Sequence, residues 1–487
     1  MNRTLNFPLG LLALLLAFSG CSKPTSTASS AGQGNLTETS LTAAEVATAK
    51  GTYTNYCGGC HGRELETFIN RDWQHGSSRQ ALFKGIKEGY PHQGMPAFAS
   101  TLSDQEINHL VSYIQDGIQN QQSAAGENKP KNEGTLYRSE TLNFRLDTVL
   151  TGLNIVWGMA FLPNGELLLT EKSGGFYRLT QNRELQRIEG APEVLAQGQG
   201  GLLDVELHPN FAQNNVIFLS YSAFKQEGGQ TLSTTAIMRA RLAGNALRDQ
   251  KVIFEAQPYA RTRHHYGSRM EFGRDGYLYF TMGDRGGTNV NPQNLSVHAG
   301  KTHRIKEDGS IPADNPFVNR KDAMPSIFTY GNRNPQGMAL NPTSGEMWLN
   351  EHGPKGGDEV NILRKGENYG WAIVTHGIDY NGSIISDLKQ KEGITDPIKI
   401  WVPSIAPSGM AFVTGNRYKG WQGDALVGSL SFKFLSRLDV EGDNVLKEER
   451  LLQDIGRVRD VRLSPDGYIY ISVEKEGVFR LVPEGEQ

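Results

Sequence analysis

Cysteine is scarce in this 487-residue chain: Cys21, Cys57 and Cys60 are the only three, too few for a disulfide framework. Neither charge dominates, with 49 Lys and Arg against 52 Asp and Glu. That balance excludes a polybasic nucleic-acid binder. Long hydrophobic runs are absent as well. The one apolar stretch, Leu9 to Phe18, is about half the roughly 20 residues a membrane span needs. What the chain has is glycine, 56 residues against 21 prolines, which suits a fold with many tight turns. At 38% apolar residues it can bury a sizeable core and is not disordered throughout. A prior of about 150 residues per domain gives roughly three units.

Residues 1–20 read as an export signal: Arg3, the apolar run, then small residues before Cys21. The end of this segment, Phe18-Ser19-Gly20-Cys21, resembles the bacterial lipoprotein box. The resemblance implies lipidation of Cys21 and an extracytoplasmic protein anchored to a bacterial membrane; ordinary secretion with a free Cys21 is the alternative. Ser22 resembles outer-membrane sorting. Residues 21–41, rich in Ser, Thr, Ala and Gly, are expected to be a flexible tether.

Tyr56-Cys57-Gly58-Gly59-Cys60-His61 is the C-x-x-C-H pattern of covalent haem attachment. Two thiols bond the haem vinyl groups, and the adjacent His61 is thereby set on one face of the iron. A redox pair or half a zinc site is the competing reading. No second cysteine pair exists for zinc, and redox pairs lack the trailing histidine. Thr42 and Glu45 start a helix with a capping box that leads into the motif. Ser103 and Glu106 start a second, with Ile107, Leu110, Val111 and Ile114 on one face. Residues 42–120 resemble a class I cytochrome c. That resemblance implies Met95, in Gly94-Met95-Pro96, as the second iron ligand, ahead of His75, His92 and His109. A polar stretch without periodicity, 121–136, reads as a linker.

Residues 137–487 carry a weak repeat. Six times an apolar-x-apolar strand leads through a turn into a second apolar strand. The starts are Met159, Val205, Met270, Met338, Met410 and Val461. Such repeats, unevenly spaced, read as one core element with variable loops, hence an all-β six-bladed propeller behind a small all-α domain. Just upstream of the starts stand Gln199, His265, Arg333 with Asn334, Ser404, and Arg457 with Arg459. If each repeat begins an equivalent strand, these side chains ring one end of the central channel. Three arginines facing one cavity call for anions, because unpaired buried cations are costly. A planar polycarboxylate suits guanidinium forks, and a histidine among them can take a proton from a hydroxyl.

Several longer motifs share this region: Gly198-Gln199-Gly200-Gly201, His265 with Arg269-Met270 and Gly283-Asp284, Tyr330-Gly331-Asn332-Arg333-Asn334-Pro335, Glu351-His352-Gly353-Pro354 ahead of Asp358-Glu359, Asn368-Tyr369-Gly370-Trp371, Ala406-Pro407-Ser408, and Arg457-x-Arg459-Asp460. With them the chain resembles the PQQ-dependent soluble glucose dehydrogenase and aldose sugar dehydrogenase family over roughly 140–485. The resemblance implies His265 as general base oriented by Asp284. It implies PQQ held by Gln199, Arg333, Asn334, Arg457 and Arg459, with Arg333 also serving the chemistry, and the repeat adds Ser404 to that cofactor-binding set. It further implies Ca²⁺ on the carbonyls of Gly353 and Pro354. The family's PQQ-binding lysine falls near Ser431, and Lys433 would lie one pleat further along that strand. The glucose enzyme's tryptophan is displaced to Trp401 beside Val402, which points to the aldose branch.

The expected protein is therefore a quinohaemoprotein that oxidises an aldose at C1, passing electrons to its fused haem c and on to a cytochrome, copper protein or oxidase. The rivals are the same fold acting on another alcohol or a sorbosone-like substrate, and a glycan- or protein-binding propeller with an electron-relay haem. Structural roles for the site residues compete too: Asp284 and Arg269 as an ion pair, His264 and His265 as surface residues, His352 as a loop cap.

Overall fold

The computed structural model describes residues 41–61, 65, 75–90, 95–124 and 134–486. The export segment, the tether with Cys21, and His92 lie outside the described residues, as does the side chain of Cys60.

The N-terminal unit is helical. Helix α1 (Ala43–Tyr56) opens on a reciprocal cap: the Thr42 hydroxyl accepts from the Glu45 amide, and the Glu45 carboxylate accepts from the Thr42 amide at 2.8 Å. One residue on, α2 (Gly58–His61) carries the attachment motif. Helix α3 (Arg79–Glu88), which the sequence reading did not anticipate, is capped by Ser78. Helix α4 (Asp104–Ala124) opens on the Ser103–Glu106 box and runs four residues past the boundary placed at 120. Its Ile107, Leu110, Val111 and Ile114 are buried against Tyr53, Leu82, Ile86 and Phe98. Cys57 is buried in that cluster, with Met95 packed against it. Of the competing iron ligands, His75 stacks on Tyr90 and His109 lies 3.8 Å from Glu45.

Residues 136–483 form six antiparallel sheets, the blades of a propeller. All six repeat starts fall on innermost strands: Val156–Phe161, Leu202–Leu207, Met270–Phe272, Pro335–Leu340, Pro407–Phe412 and Val458–Leu463. The ring closes by pairing its two ends. Asn143–Leu150 lies antiparallel to the C-terminal strand Gly477–Pro483, with Leu146 opposite Leu481, so the last blade has five strands. Closure ties the two ends of the chain's propeller together and leaves each blade only short edges.

The residue before each repeat start decides what fills the channel. In order these are Gly158, Asp204, Arg269, Gly337, Gly409 and Asp460. Arg269 reaches Asp204 at 2.9 Å and Asp460 at 3.0 Å, and its guanidinium lies 4.5 Å from the Trp157 ring. Arg462 adds bonds to Asp204 at 3.0 Å and Asp460 at 3.2 Å. A Cβ on Gly158 would come within 2.7 Å of the Asp204 carboxylate, and one on Gly409 would strike Asp460. Gly158 and Gly409 thus make room for a buried ionic plug, while Gly337 gives way to Asn350 and the Ser408 carbonyl. The suggested ion pair between Arg269 and Asp284 is corrected: both Arg269 partners lie in the plug. The strand placement of Lys433 is corrected as well. The strand Ala425–Ser429 stops short of Lys433, which sits in a turn with φ of 57°.

Candidate active site

The loops leading into the inner strands converge on one end of the ring. His265 ends the segment between the second and third blades and has φ of 55°. Few non-glycine residues hold that left-handed conformation, and it is maintained only where surroundings over-determine it. Here the His265 amide donates to Gln199 Oε1 at 2.8 Å. Opposite its carbonyl, Gly283 lacks the Cβ that would collide with it. His265 Nδ1 is 2.6 Å from Asp284 Oδ1.

Asp284 is fully buried and collects three further donors, the Gly286 amide at 2.8 Å, the Trp371 indole N–H at 3.0 Å and the Thr288 hydroxyl at 3.4 Å. Burial alone would raise its pKa, but His265, Arg333 and Gly286 outweigh it and hold the carboxyl well below its usual range. A carboxylate can only accept, so the His265 proton sits on Nδ1 and the Nε2 lone pair is left for chemistry. Burial lowers the His265 pKa, Asp284 opposes that, and the net shift keeps the ring neutral. His264 stands edge-on to His265 at 4.6 Å and is pushed down to about 2, first by burial and then by His265.

Arg333 is tied to this pair through the backbone, its carbonyl accepting from the Asp284 amide at 2.8 Å. Its guanidinium lies 5.3 Å from the Trp371 ring and donates to the carbonyls of His352 at 3.2 Å and Gly353 at 3.0 Å. The neighbouring Asn334 accepts from the Gly267 amide at 3.3 Å, while its buried Nδ2 has no hydrogen-bond partner. Glu351 braces the loop, accepting from Asn332 Nδ2 at 2.7 Å and the Arg333 amide at 2.6 Å. Asp358 takes the Gly353 amide at 2.8 Å and the Ser404 hydroxyl at 2.9 Å, so Ser404 spends its proton inside the protein. His352 does more than cap a loop: its Nε2 is 2.7 Å from the Pro407 carbonyl, joining the fourth blade to the fifth.

Arg457 and Arg459 both bond the carboxylate of Glu474, Arg457 Nε at 2.6 Å. Burial pushes Glu474 up, and the two guanidiniums hold it down to about 2. Glu474 was missed in the sequence, and it corrects the premise that every rim arginine awaits an outside anion. One carboxylate shared by two guanidiniums still leaves that pair net positive. Among the described residues no cluster of three or more His, Cys, Asp or Glu side chains is arranged to hold a metal ion. A cation at Gly353 and Pro354 would therefore rest on backbone carbonyls.

Residues 153–481 match the Glucose / Sorbosone dehydrogenase family, and residues 44–114 match the family of cytochrome c oxidase, cbb3-type, subunit III. The chain is 42% identical over 328 residues to the aldose sugar dehydrogenase YliI of Escherichia coli K12, covering 66% of this chain and 87% of that protein. It is 26% identical over 422 residues to quinoprotein glucose dehydrogenase B of Acinetobacter calcoaceticus, covering 70% and 87%. Among solved structures, the apo form of the soluble E. coli aldose sugar dehydrogenase superposes with TM-score 0.66 at 38% identity, over 69% of this chain and 98% of that one. The PQQ-bound aldose sugar dehydrogenase of Streptomyces coelicolor superposes with TM-score 0.57 at 25% identity, over 70% and 98%. The chain belongs to the glucose/sorbosone dehydrogenase family of oxidoreductases and carries a cytochrome c domain on the N-terminal side of its propeller.

Proposed function

We propose that this chain is an extracytoplasmic quinohaemoprotein that oxidises an aldose at C1 to its lactone and delivers the electrons to its own haem c. The observation that carries the reading is His265, held on buried Asp284 at 2.6 Å within a mouth that gathers Arg333, Arg457 and Arg459. His265 Nε2 takes the proton of the anomeric hydroxyl, and Asp284 stabilises the imidazolium that results. Gln199 fixes the His265 backbone, so the ring keeps its aim.

The mouth fits an anionic, flat cofactor such as PQQ. Arg333, Arg457 and Arg459 would set positive charge against its carboxylates, and the buried, partnerless Asn334 Nδ2 would find its acceptor there. When bound, PQQ supplies a two-electron acceptor for the hydride leaving C1. The carbonyls of Gly353 and Pro354 are the hard oxygen donors that Ca²⁺ prefers, and Ca²⁺ there would act as a Lewis acid. Ser404, whose hydroxyl donates to Asp358, would hold that loop. In the helical unit Cys57 and Cys60 would bond the haem, and His61 and Met95 would hold its iron, a pairing that raises the potential of an acceptor. Cys21 would carry the lipid anchor.

One turnover removes two electrons and two protons from the sugar. The test is lactone production by the PQQ- and Ca²⁺-loaded protein across a panel of aldoses and other alcohols. His265→Gln should lower turnover at least about 100-fold while PQQ titration remains saturable. Turnover by His265→Gln at the wild-type rate, or none by wild type with any aldose, would overturn the reading.

A further inference from the structure

The propeller rim beside the candidate site has a patch that the proposed reaction does not use. Lys355 directly follows Gly353 and Pro354, and its amide donates to the Ile378 carbonyl at 3.3 Å. Ile378 pairs with Ile384 across a short bridge, and Ile384 is 68% exposed. Val402, 66% exposed, packs beside Gly356, close enough to contact any Cβ placed there. With Ile378, these open aliphatic side chains make a small apolar rim beside Lys355.

The helical unit reaches the same lysine. Lys355 Nζ lies 4.4 Å from the centroid of the Tyr56 ring. A cation held over an aromatic face is attracted by the ring quadrupole. Tyr56 immediately precedes Cys57, meets Phe98 edge-on at 6.2 Å, and packs against the cluster that includes Met95. Two peptide bonds and one cation–ring contact therefore link Pro354, at the candidate site, to the first cysteine of the haem motif.

We propose that the rim formed by Lys355, Ile378, Ile384 and Val402 is the docking surface for the chain's own haem domain, seated through Tyr56. The inference rests on the proposed oxidation for its purpose, since the docked domain would receive the two electrons of each turnover one at a time, each reducing Fe(III) to Fe(II) before an external one-electron acceptor reoxidises it. Tethering the acceptor raises its effective concentration, and the rim gives that tethered domain one preferred seat. Lys355 sets the orientation of the contact, and Ile384 and Val402, open to solvent beside it, offer apolar surface for the docked domain to cover.

Two measurements on the full-length, haem-loaded protein decide the matter. In the first, a photo-crosslinker replaces one rim residue (Ile384→p-benzoylphenylalanine). Mass spectrometry should find links within one chain to residues 42–61 or 95–99. Links only between chains, or none to those segments, would overturn the proposal. In the second, stopped-flow haem reduction by aldose is compared in wild type, Lys355→Glu and Lys355→Arg. Lys355→Glu should slow haem reduction about tenfold while lactone formation with a small diffusible acceptor stays within about twofold. Lys355→Arg should keep the wild-type rate, because a guanidinium also sits over aromatic rings. An unchanged haem rate in Lys355→Glu would overturn the docking assignment. Failure of wild type to oxidise any aldose even with the diffusible acceptor would sink the proposed reaction instead. The crosslink, which needs no turnover, would still decide the docking.

Discussion

Asp284 binds His265 through one carboxylate oxygen, at 2.6 Å, and the Trp371 indole through the other, at 3.0 Å. The acid is therefore locked in plane before substrate arrives, and with it the tautomer of the histidine. In Asp284→Asn the amide can donate to Nδ1, which moves the ring proton to Nε2 and removes the base. Turnover should fall about 10³–10⁴-fold, with PQQ binding changed little. Steady-state kinetics alongside a PQQ titration checks this.

The same pair sets a pH dependence. Burial holds the His265 pKa below its ordinary value against the pull of Asp284. The base is active when neutral, so activity should be lost on the acid side only, below the ordinary histidine value of about 6.5. A kcat/KM profile with an acid limb above that value would contradict the assignment.

Glu474 is a stability element. Its folded pKa is depressed to about 2 by Arg457 and Arg459 against the cost of burial. A depressed carboxyl contributes stability above its unfolded pKa of about 4.3 and loses it as pH falls through the folded value. Glu474→Gln should cost about 3 kcal/mol at pH 7, and the difference from wild type should shrink between roughly pH 4.3 and 2. Denaturant melts of the propeller at several pH values measure both.

Arg269 neutralises Asp204 and Asp460 inside the channel. Arg269→Met would leave those buried carboxylates to Arg462 and the Met159 and Met270 amides and should destabilise the propeller by about 3–5 kcal/mol. Gly409→Ala should destabilise it by about 1–3 kcal/mol, because the added methyl meets the Asp460 carboxylate and fixed backbone. Calorimetry of the two variants separates charge loss from overpacking.

Lys301 is buried, and its ammonium donates to the carbonyls of Asn291 and Ala299, each at 2.6 Å. Asn291 Nδ2 in turn bonds the Asp284 carbonyl at 2.9 Å. Burial lowers the lysine to about 7. Lys301→Met should leave the buried Ala299 carbonyl unmet, a cost of about 1–3 kcal/mol, while the Asn291 carbonyl keeps the Asn294 amide at 3.2 Å. Amide exchange should quicken over residues 286–300 while the inner strands stay protected.

Much of this fold is visible in the sequence because its signals are local. Both capping boxes, the C-x-x-C-H run and the repeat starts at Met159, Val205, Met270, Met338, Met410 and Val461 lie within short windows, and each maps onto one helix end or one inner strand. The repeat alone pointed to the segments just upstream of the inner strands, where Gln199, His265, Arg333, Asn334, Ser404, Arg457 and Arg459 stand. What stayed hidden is long-range. Trp371 reaches Asp284 across 87 residues, and Arg462 reaches Asp204 across 258. Glu474 follows a strand of its own blade and looks there like an ordinary turn glutamate. The glycines at 158, 337 and 409 were a usable signal, since they fall at the repeat position where Asp204, Arg269 and Asp460 stand. Helix α3 was missed because its apolar face is only Leu82 and Ile86 beside Gly85.

The most direct test of the central claim is an optical spectrum of the full-length haem protein, loaded with PQQ and Ca²⁺, before and after adding an aldose. Reduced-haem bands that develop only when sugar, PQQ and Ca²⁺ are all present, and that fail to develop in His265→Gln, are the predicted result. A haem that stays oxidised under every sugar, while lactone also fails to form with a diffusible acceptor, would contradict the account.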